Sequence, residues 1–282
     1  MPTLQGEHER LTHPTTGHEL FVRVWRASQP RAAVLLVHGF GEHSGRYEAV
    51  ASTWGEQGIA VACPDLPGHG LSSGARGDLE DVGWCLDDLE FVAGRLMPSL
   101  VPTGRYVVFG HSAGGLLAIH LALRHLAAVT GLILQSPLLA VGFPVPGWKL
   151  FLAQRLVHLA PHLRLSSGLK PEWLSRDPAI VERYRRDPLV VHTISLCGYF
   201  ALQQAMALAR ERVAEVKTPT FLVYGEADRV IDVSACRDFS ERLQCEKRIR
   251  VYAEGYHELH HEPVRTELLA EMATWILAHA SA

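Results

Sequence analysis

Short, largely apolar runs recur along the chain, at residues 32–37, 59–63, 106–109, 129–134, 220–224 and 249–252. In Ala32-Ala33-Val34-Leu35-Leu36-Val37 both alternating faces are apolar, as a strand buried inside a parallel sheet requires. Residues 19–27 instead alternate around Leu20, Val22, Val24 and Trp25 and predict an edge strand. Segments of helical period lie between the runs, at 47–57, 79–96, 112–124, 233–243 and 264–278. Strands alternating with helices predict an α/β fold with a mostly parallel central sheet flanked by helices on both faces.

One interval breaks this rhythm. Residues 138–212 hold no convincing central strand, carry prolines at 144, 146, 161, 171, 178 and 188, and include amphipathic pieces such as 148–157. The pattern predicts a core of residues 1–137 and 213–282, with 138–212 as a helical insertion between two sheet strands. There are no internal repeats and no low-complexity tract.

At 282 residues the chain can build one large core plus a smaller insertion. Its 48% hydrophobic and 20% charged residues are ordinary for a globular protein, and a net charge of −3 gives no reason to expect a polyanionic partner. Basic pairs such as Arg185-Arg186 never extend into a run with interleaved aromatics, so no nucleic-acid partner is expected. The first residues have no basic start and no apolar h-region, so no signal peptide is expected, and no stretch reaches the length of a bilayer span. Five cysteines, widely spaced and without a C-x-x-C pair, favour free thiols in a reducing compartment and hence a cytoplasmic location. Sixteen histidines occur, most densely at His257-Glu258-Leu259-His260-His261. No cofactor and no metal are expected.

The pattern G-x-S-x-G can build a strained strand-to-helix turn that presents a nucleophilic serine. It occurs twice, as Gly70-Leu71-Ser72-Ser73-Gly74 and as Gly110-His111-Ser112-Ala113-Gly114. Only the second has a strand before it (106–109) and an apolar helical run after it, with Gly110 and Gly114 giving the turn room. Ser112 is therefore the expected nucleophile, and Ser72 belongs to a polar surface loop.

A serine hydroxyl needs a histidine to take its proton and an acid to orient that histidine. In parallel sheets such groups gather at the carboxyl ends of strands. The run 220–224 leads into Gly225-Glu226-Ala227-Asp228-Arg229-Val230-Ile231-Asp232. Asp228 lies in the turn and is the expected acid; Glu226 is an alternative, as is Asp232, which reads more simply as a helix N-cap. His257 is the first histidine after the last run and the expected base, whereas His260 and His261 belong to the approach to the final helix. A metal set of His257, His260 and Glu262 lacks a helix frame to converge its ligands. The order Ser112, Asp228, His257 is that of an α/β-hydrolase. Two backbone N–H groups should form the oxyanion hole, one from Ala113 and one from Phe40 in the loop His38-Gly39-Phe40-Gly41-Glu42-His43.

On these residues the chain resembles the monoacylglycerol lipase-type α/β-hydrolases, also described as lysophospholipase-like or serine-aminopeptidase-like. The most specific part is His38-Gly39-Phe40-Gly41-Glu42-His43-Ser44-Gly45-Arg46-Tyr47, similar to the signature H-G-x-G-E-H-x-x-R-Y. Asp65-Leu66-Pro67-Gly68-His69-Gly70-Leu71-Ser72, the elbow, and residues 256–262 extend the match over nearly the whole chain. The resemblance implies Ser112, Asp228 and His257 as the triad and the Phe40 and Ala113 amides as the oxyanion hole. The family often has methionine after the elbow serine; Ala113 replaces it here, and a backbone donor is unaffected by that change.

The resemblance also implies an α/β-hydrolase fold with a helical cap inserted after the sixth strand, which builds an acyl channel and in some members touches membranes. Phe40, Leu138, Phe143, Val145 and Trp148 are the expected acyl-pocket residues. The implied substrate is a monoacylglycerol or similar lipid ester, cleaved without a cofactor through an acyl-enzyme. Lysophospholipase or small-ester carboxylesterase activity is an alternative. So is a serine aminopeptidase, which needs acidic cap residues such as Glu172, Asp177, Glu182 or Asp187 for the substrate ammonium. A ligand-binding relative without catalysis is the fourth reading. Nothing in the sequence points to an oligomeric state.

Overall fold

Ten strands are present among the described residues, 6–79 and 81–280 of a computed structural model. They are β1 (Glu7–Thr12), β2 (Glu19–Trp25), β3 (Ala32–Val37), β4 (Ile59–Pro64), β5 (Tyr106–His111), β6 (Val129–Gln135), β7 (Arg164–Ser166), β8 (Thr193–Ser195), β9 (Thr220–Gly225) and β10 (Lys247–Tyr252). Eight form one sheet in the order β1-β2-β4-β3-β5-β6-β9-β10, parallel from β4 to β10, with β2 antiparallel to both its neighbours. The helices are α1 (Glu48–Gly55), α2 (Val82–Leu100), α3 (Ala113–Ala122), α4 (Gly147–Leu156), α5 (Pro178–Arg186), α6 (Leu196–Glu211), α7 (Val233–Arg242) and α8 (Arg265–His279).

The two-residue period of the strands divides the core between the sheet's faces. Ala33, Leu35 and Val37 of β3 join Val108 and Leu222 in a cluster covered by α2, α3, α6 and α7. Ala32, Val34 and Leu36 join Val107, Phe109, Phe221 and Val223 in a second cluster under α1 and α8. Both faces are covered, which is why the central strands read as unbroken apolar runs. The cap follows β6, as in the α/β-hydrolase fold.

Several boundaries differ from the sequence expectation. β2 is an internal strand; the edge beyond it is β1, whose Glu-His-Glu-Arg-Leu-Thr lacks an apolar face and is held by its ladder to β2. β10 is the other edge, with Ile249 and Val251 exposed, so it is not a doubly buried strand. The second helix starts at Val82 with Asp81 as its cap, three residues after the expected start; Glu80, and residues 1–5 of the N-terminal reading, lie outside the described residues.

The insertion also contains the antiparallel pair β7–β8. Its last helix returns to the core: Leu202, Ala205, Met206 and Ala209 of α6 are buried in the same cluster as α3. The first part of the insertion is tied to the loop after β9, with a bridge between Val141 and Ile231 and hydrogen bonds from Gly142 N to Val230 O and Asp232 N to Ala140 O.

Candidate active site

Ser112 sits between β5 and α3 with φ 54° and ψ −120°, a left-handed conformation that a residue with a Cβ adopts only at a cost. The two flanking glycines are required by close backbone approach. A Cβ on Gly110 would lie 2.3 Å from Gly114 O, and one on Gly114 would lie 2.1 Å from Val37 O. The turn is held by hydrogen bonds from Ser112 N to Gln135 O and from Leu138 N to Ser112 O. Ala113 is the first residue of α3, so its N–H belongs to the first turn, whose amides have no acceptor within the helix.

The loop after β9 carries Asp228 and the loop after β10 carries His257, and the structure brings them together. Asp228 Oδ2 lies 2.7 Å from His257 Nδ1, while Asp228 Oδ1 accepts from the N–H groups of Val230 and Ile231 at 2.8 and 3.2 Å. The carboxylate is thus fixed on one side by backbone and on the other faces the imidazole. Burial alone would depress the His257 pKa. The charge and hydrogen bond of Asp228, with Glu258 and Glu42 further off, outweigh burial and raise it above its ordinary value. Of the alternative acids, Asp232 caps α7 by accepting from Ser234 N, and Glu226 pairs with Arg237 in solvent.

The loop after β3 packs directly on the elbow: a Cβ on Gly39 would sit 3.1 Å from the Ser112 Cβ. Leu66 N–H donates to His38 Nε2, so the His38 proton is on Nδ1, where it donates to Gly39 O at 2.8 Å. In a trans peptide the C=O and the following N–H point in opposite directions. With Gly39 C=O turned toward His38, the Phe40 N–H is turned away from it.

Sequence reasoning left three acidic residues near this loop without roles. Buried Glu42 accepts from Gly39 N at 2.6 Å and from the Tyr47 hydroxyl at 2.8 Å, and also pairs with Arg46. Burial opposes its ionisation, but His111, Arg46, His38 and the Gly39 amide outweigh burial and hold the carboxyl below its usual range. Arg46 reaches on to Glu258, donating to both carboxylate oxygens at 2.6 and 2.7 Å. This buried pair ties the loop after β3 to the residue beside His257, and breaking such a pair costs about 3–5 kcal/mol. Asp65 accepts from Ser44 N and Leu71 N and so joins the same loop to the one after β4. The i,i+4 spacing of Glu42 and Arg46 was a signal in the sequence; the partner 212 residues away was not.

Behind His257, the His111 ring lies 4.7 Å from its ring and is pushed down to about 4 by burial and by His257. Gln135 Nε2 reaches both His111 Nδ1 and His260 Nδ1. His260 is therefore engaged away from His257, and Glu262 pairs with Ser175 and Arg176, so His257, His260 and Glu262 do not converge on one point. Ser72 is equally remote in role: its hydroxyl donates to Asp65 O and accepts from Phe21 N.

An apolar pocket opens from Ser112 into the insertion. Phe40, Leu138, Phe143 and Val145 line it, together with Leu169, Ile194, Leu202, Met206 and others from later in the insertion, and the polar lining groups Ser112, Ser167, Tyr199 and Gln203 are all uncharged. Trp148, expected at this wall, lies instead at the start of α4 and is 67% exposed. A smaller adjoining cavity is shared by Ser112, Phe40 and His257.

Residues 28–264 match the family model described as serine aminopeptidase, S33. The chain is 32% identical to a monoacylglycerol lipase of Mycolicibacterium smegmatis, covering 93% of this chain and 94% of that one. It is 35% identical, over 91% of its own length, to an uncharacterised abhydrolase domain-containing protein of Dictyostelium discoideum, of which it spans only 27%. The crystal structure of a Paleococcus ferrophilus monoacylglycerol lipase superposes with a TM-score of 0.84 at 32% identity, covering 93% of this chain and 99% of that one. Among the described residues no helix is long and apolar enough to cross a membrane. The chain belongs to the serine aminopeptidase S33 family of α/β-hydrolases and is a serine hydrolase related to the monoacylglycerol lipases and esterases.

Proposed function

We propose that this enzyme hydrolyses monoacylglycerols, or neutral lipid esters like them, to a fatty acid and an alcohol. The observation that carries this reading is an uncharged, apolar pocket ending at Ser112. The acidic side chains that an aminopeptidase would turn toward a substrate ammonium are occupied elsewhere. Glu172 and Glu182 pair with Arg185, Asp177 caps α5, and Asp187 pairs with His43. Glu42 and Glu258 border the smaller cavity, but both carboxylates are engaged by Arg46.

In this mechanism the acyl carbon of the ester docks above Ser112. His257, with Nδ1 facing Asp228, takes the Ser112 proton at Nε2 as Oγ attacks. The oxyanion is met by the N–H groups of Phe40 and Ala113. Collapse passes the proton from Nε2 to the departing alcohol, leaving the acyl chain on Ser112 Oγ. Water then adds by the same route and restores the serine. The residues 138–212 act as the cap that encloses the acyl chain.

A chromogenic ester series from acetate to palmitate, run beside monooleoylglycerol and a leucine anilide, tests the substrate class. The expected result is a kcat/KM that rises with acyl length well past acetate, with rapid release of glycerol. Preferential cleavage of the anilide would overturn the ester assignment.

A second reading concerns where the substrate is collected. Trp148, Phe151 and Leu159, exposed by 67%, 60% and 83%, stand beside Lys149 and Arg155 on and just after α4. Exposed aromatics flanked by basic residues suit the interface of an anionic lipid surface. The chain should therefore sediment with phosphatidylglycerol vesicles, and the W148S/F151S pair should remain in the supernatant. Equal sedimentation of both proteins would remove α4 from the docking surface.

A further inference from the structure

Outside the active site, a carboxylate, an imidazole and a thiol converge where the insertion meets the core. Asp78 comes from the loop between β4 and α2, His162 from the segment before β7, and Cys197 from the first turn of α6. Asp78 Oδ2 lies 2.8 Å from His162 Nδ1; Cys197 Sγ lies 3.3 Å from Asp78 Oδ1 and 3.9 Å from His162 Nδ1. All three donor atoms fall within 4.8 Å of one another. We propose that Asp78, His162 and Cys197 form a binding site for a thiophilic divalent metal ion, zinc in the first instance, which clamps the cap to the core.

The argument is one of size, donor type and charge. A tetrahedral zinc with bonds of about 2.0–2.3 Å holds its ligand atoms about 3.4–3.6 Å apart. The thiol lies 3.3 Å from Asp78 Oδ1 and 3.9 Å from His162 Nδ1, on either side of that range, while the other carboxylate oxygen, Oδ2, faces the imidazole. The carboxylate–imidazole edge must open by about 0.6 Å to reach it, a small rotation for a side chain as exposed as His162. Sulfur, nitrogen and oxygen together suit zinc and exclude magnesium and calcium, which demand oxygen. Zn²⁺ with one thiolate and one carboxylate is electrically neutral, which suits a half-buried place.

The surroundings already orient these donors. Ser195 donates to Asp78 Oδ1 and accepts from Gly198 N, fixing the carboxylate as a supporting hydrogen bond does in a metal site. Cys197 lies in the first turn of a sixteen-residue helix, whose N-terminal dipole favours the thiolate. Burial and the Asp78 carboxylate hold the free thiol above its ordinary pKa, with Ser195 opposing them. The thiol is thus protonated until the metal arrives: Zn²⁺ displaces the S–H proton to solvent as the Zn–S bond forms, and the neutral imidazole binds through Nδ1. The other carboxylate–histidine group, Glu258 with His260 and His261, is unsuited, because both Glu258 oxygens are held by Arg46.

Zinc titration of the full chain against a chromophoric chelator tests the site. One equivalent should bind with a Kd of about 1 µM or tighter, release one proton in weakly buffered solution and raise Tm by about 5 °C at saturating zinc. Cobalt in place of zinc should show thiolate-to-metal charge-transfer absorption. Cys197→Ser should abolish that absorption, and both it and His162→Gln, a change at an exposed side chain, should weaken zinc binding about 100-fold. Absence of a tight equivalent in the wild type, or unchanged binding in both variants, would overturn the proposal. None of these readouts depends on hydrolysis, so failure here and failure of the ester assignment are separate results.

Discussion

Replacing Ser112 by Ala should lower kcat for monoacylglycerol hydrolysis by about a million-fold, the loss typical when a serine hydrolase is left without its nucleophile. The fold should survive. The elbow backbone is held by Gln135 O and Leu138 N, neither of which involves the hydroxyl. Alanine bears the same Cβ in the same left-handed conformation, so no new strain enters. Ser72→Ala should show the opposite pattern. That hydroxyl bridges Asp65 O and Phe21 N, so its removal should cost about 1 kcal/mol of stability and leave turnover close to wild type. Steady-state kinetics and thermal melts of the two variants, measured side by side, separate a reacting serine from a structural one. Comparable losses of kcat in both would contradict the assignment.

The second large effect is expected at Asp228. Asp228→Asn keeps the shape of the side chain but removes an acceptor-only group. If its amide nitrogen faces His257, the imidazole is pushed to the tautomer with Nε2 protonated, which cannot take the Ser112 proton. A fall of about ten-thousand-fold in kcat is expected, as in other triads that lose this charge. The pH profile supplies an independent sign. Burial lowers the His257 pKa and the Asp228 interactions raise it, with a net raised value in the wild type. Activity requires neutral His257, so kcat/KM should climb with pH through a midpoint above about 6.5. In D228N burial acts without its main opponent, and the midpoint should move below that value. A midpoint that stays in place would mean that Asp228 does not set the state of His257.

The same balance explains which parts of the molecule were legible in the sequence. β3, β5 and β9 are buried on both faces, so their apolar runs carry the fold's pattern in the chain itself. The elbow was equally local, because strand, glycines and helix are adjacent in sequence. The edges were not. β1 has only Leu11 to show, and its place comes from pairing with β2 rather than from burial; β10 has apolar residues, but no layer covers them. α6 reads as part of the insertion from its position in the chain, yet four of its residues complete the core against α3.

At the site, residue types and their order along the chain pointed to Ser112, Asp228 and His257. The buried link from Arg46 to Glu258 could not be read that way, since it joins residues 212 positions apart. The pocket wall shows the same limit. Leu138, Phe143 and Val145 stood out as an apolar stretch, whereas Leu202 and Met206 enter the wall only because α6 folds back over it. Trp148 belonged to the same stretch, but the turn into α4 carries it to the surface.

The central claim is that the acyl group is carried by Ser112. Ser112 and Ser72 lie on different tryptic peptides, residues 106–124 and 47–76, so one digest distinguishes them. The native enzyme should be treated with a long-chain alkyl fluorophosphonate and its peptides mapped by mass. The account predicts one stoichiometric adduct on the peptide 106–124, placed on Ser112 by fragmentation and absent from Ser112→Ala. An adduct on the peptide 47–76, or labelling that persists in Ser112→Ala, would contradict it.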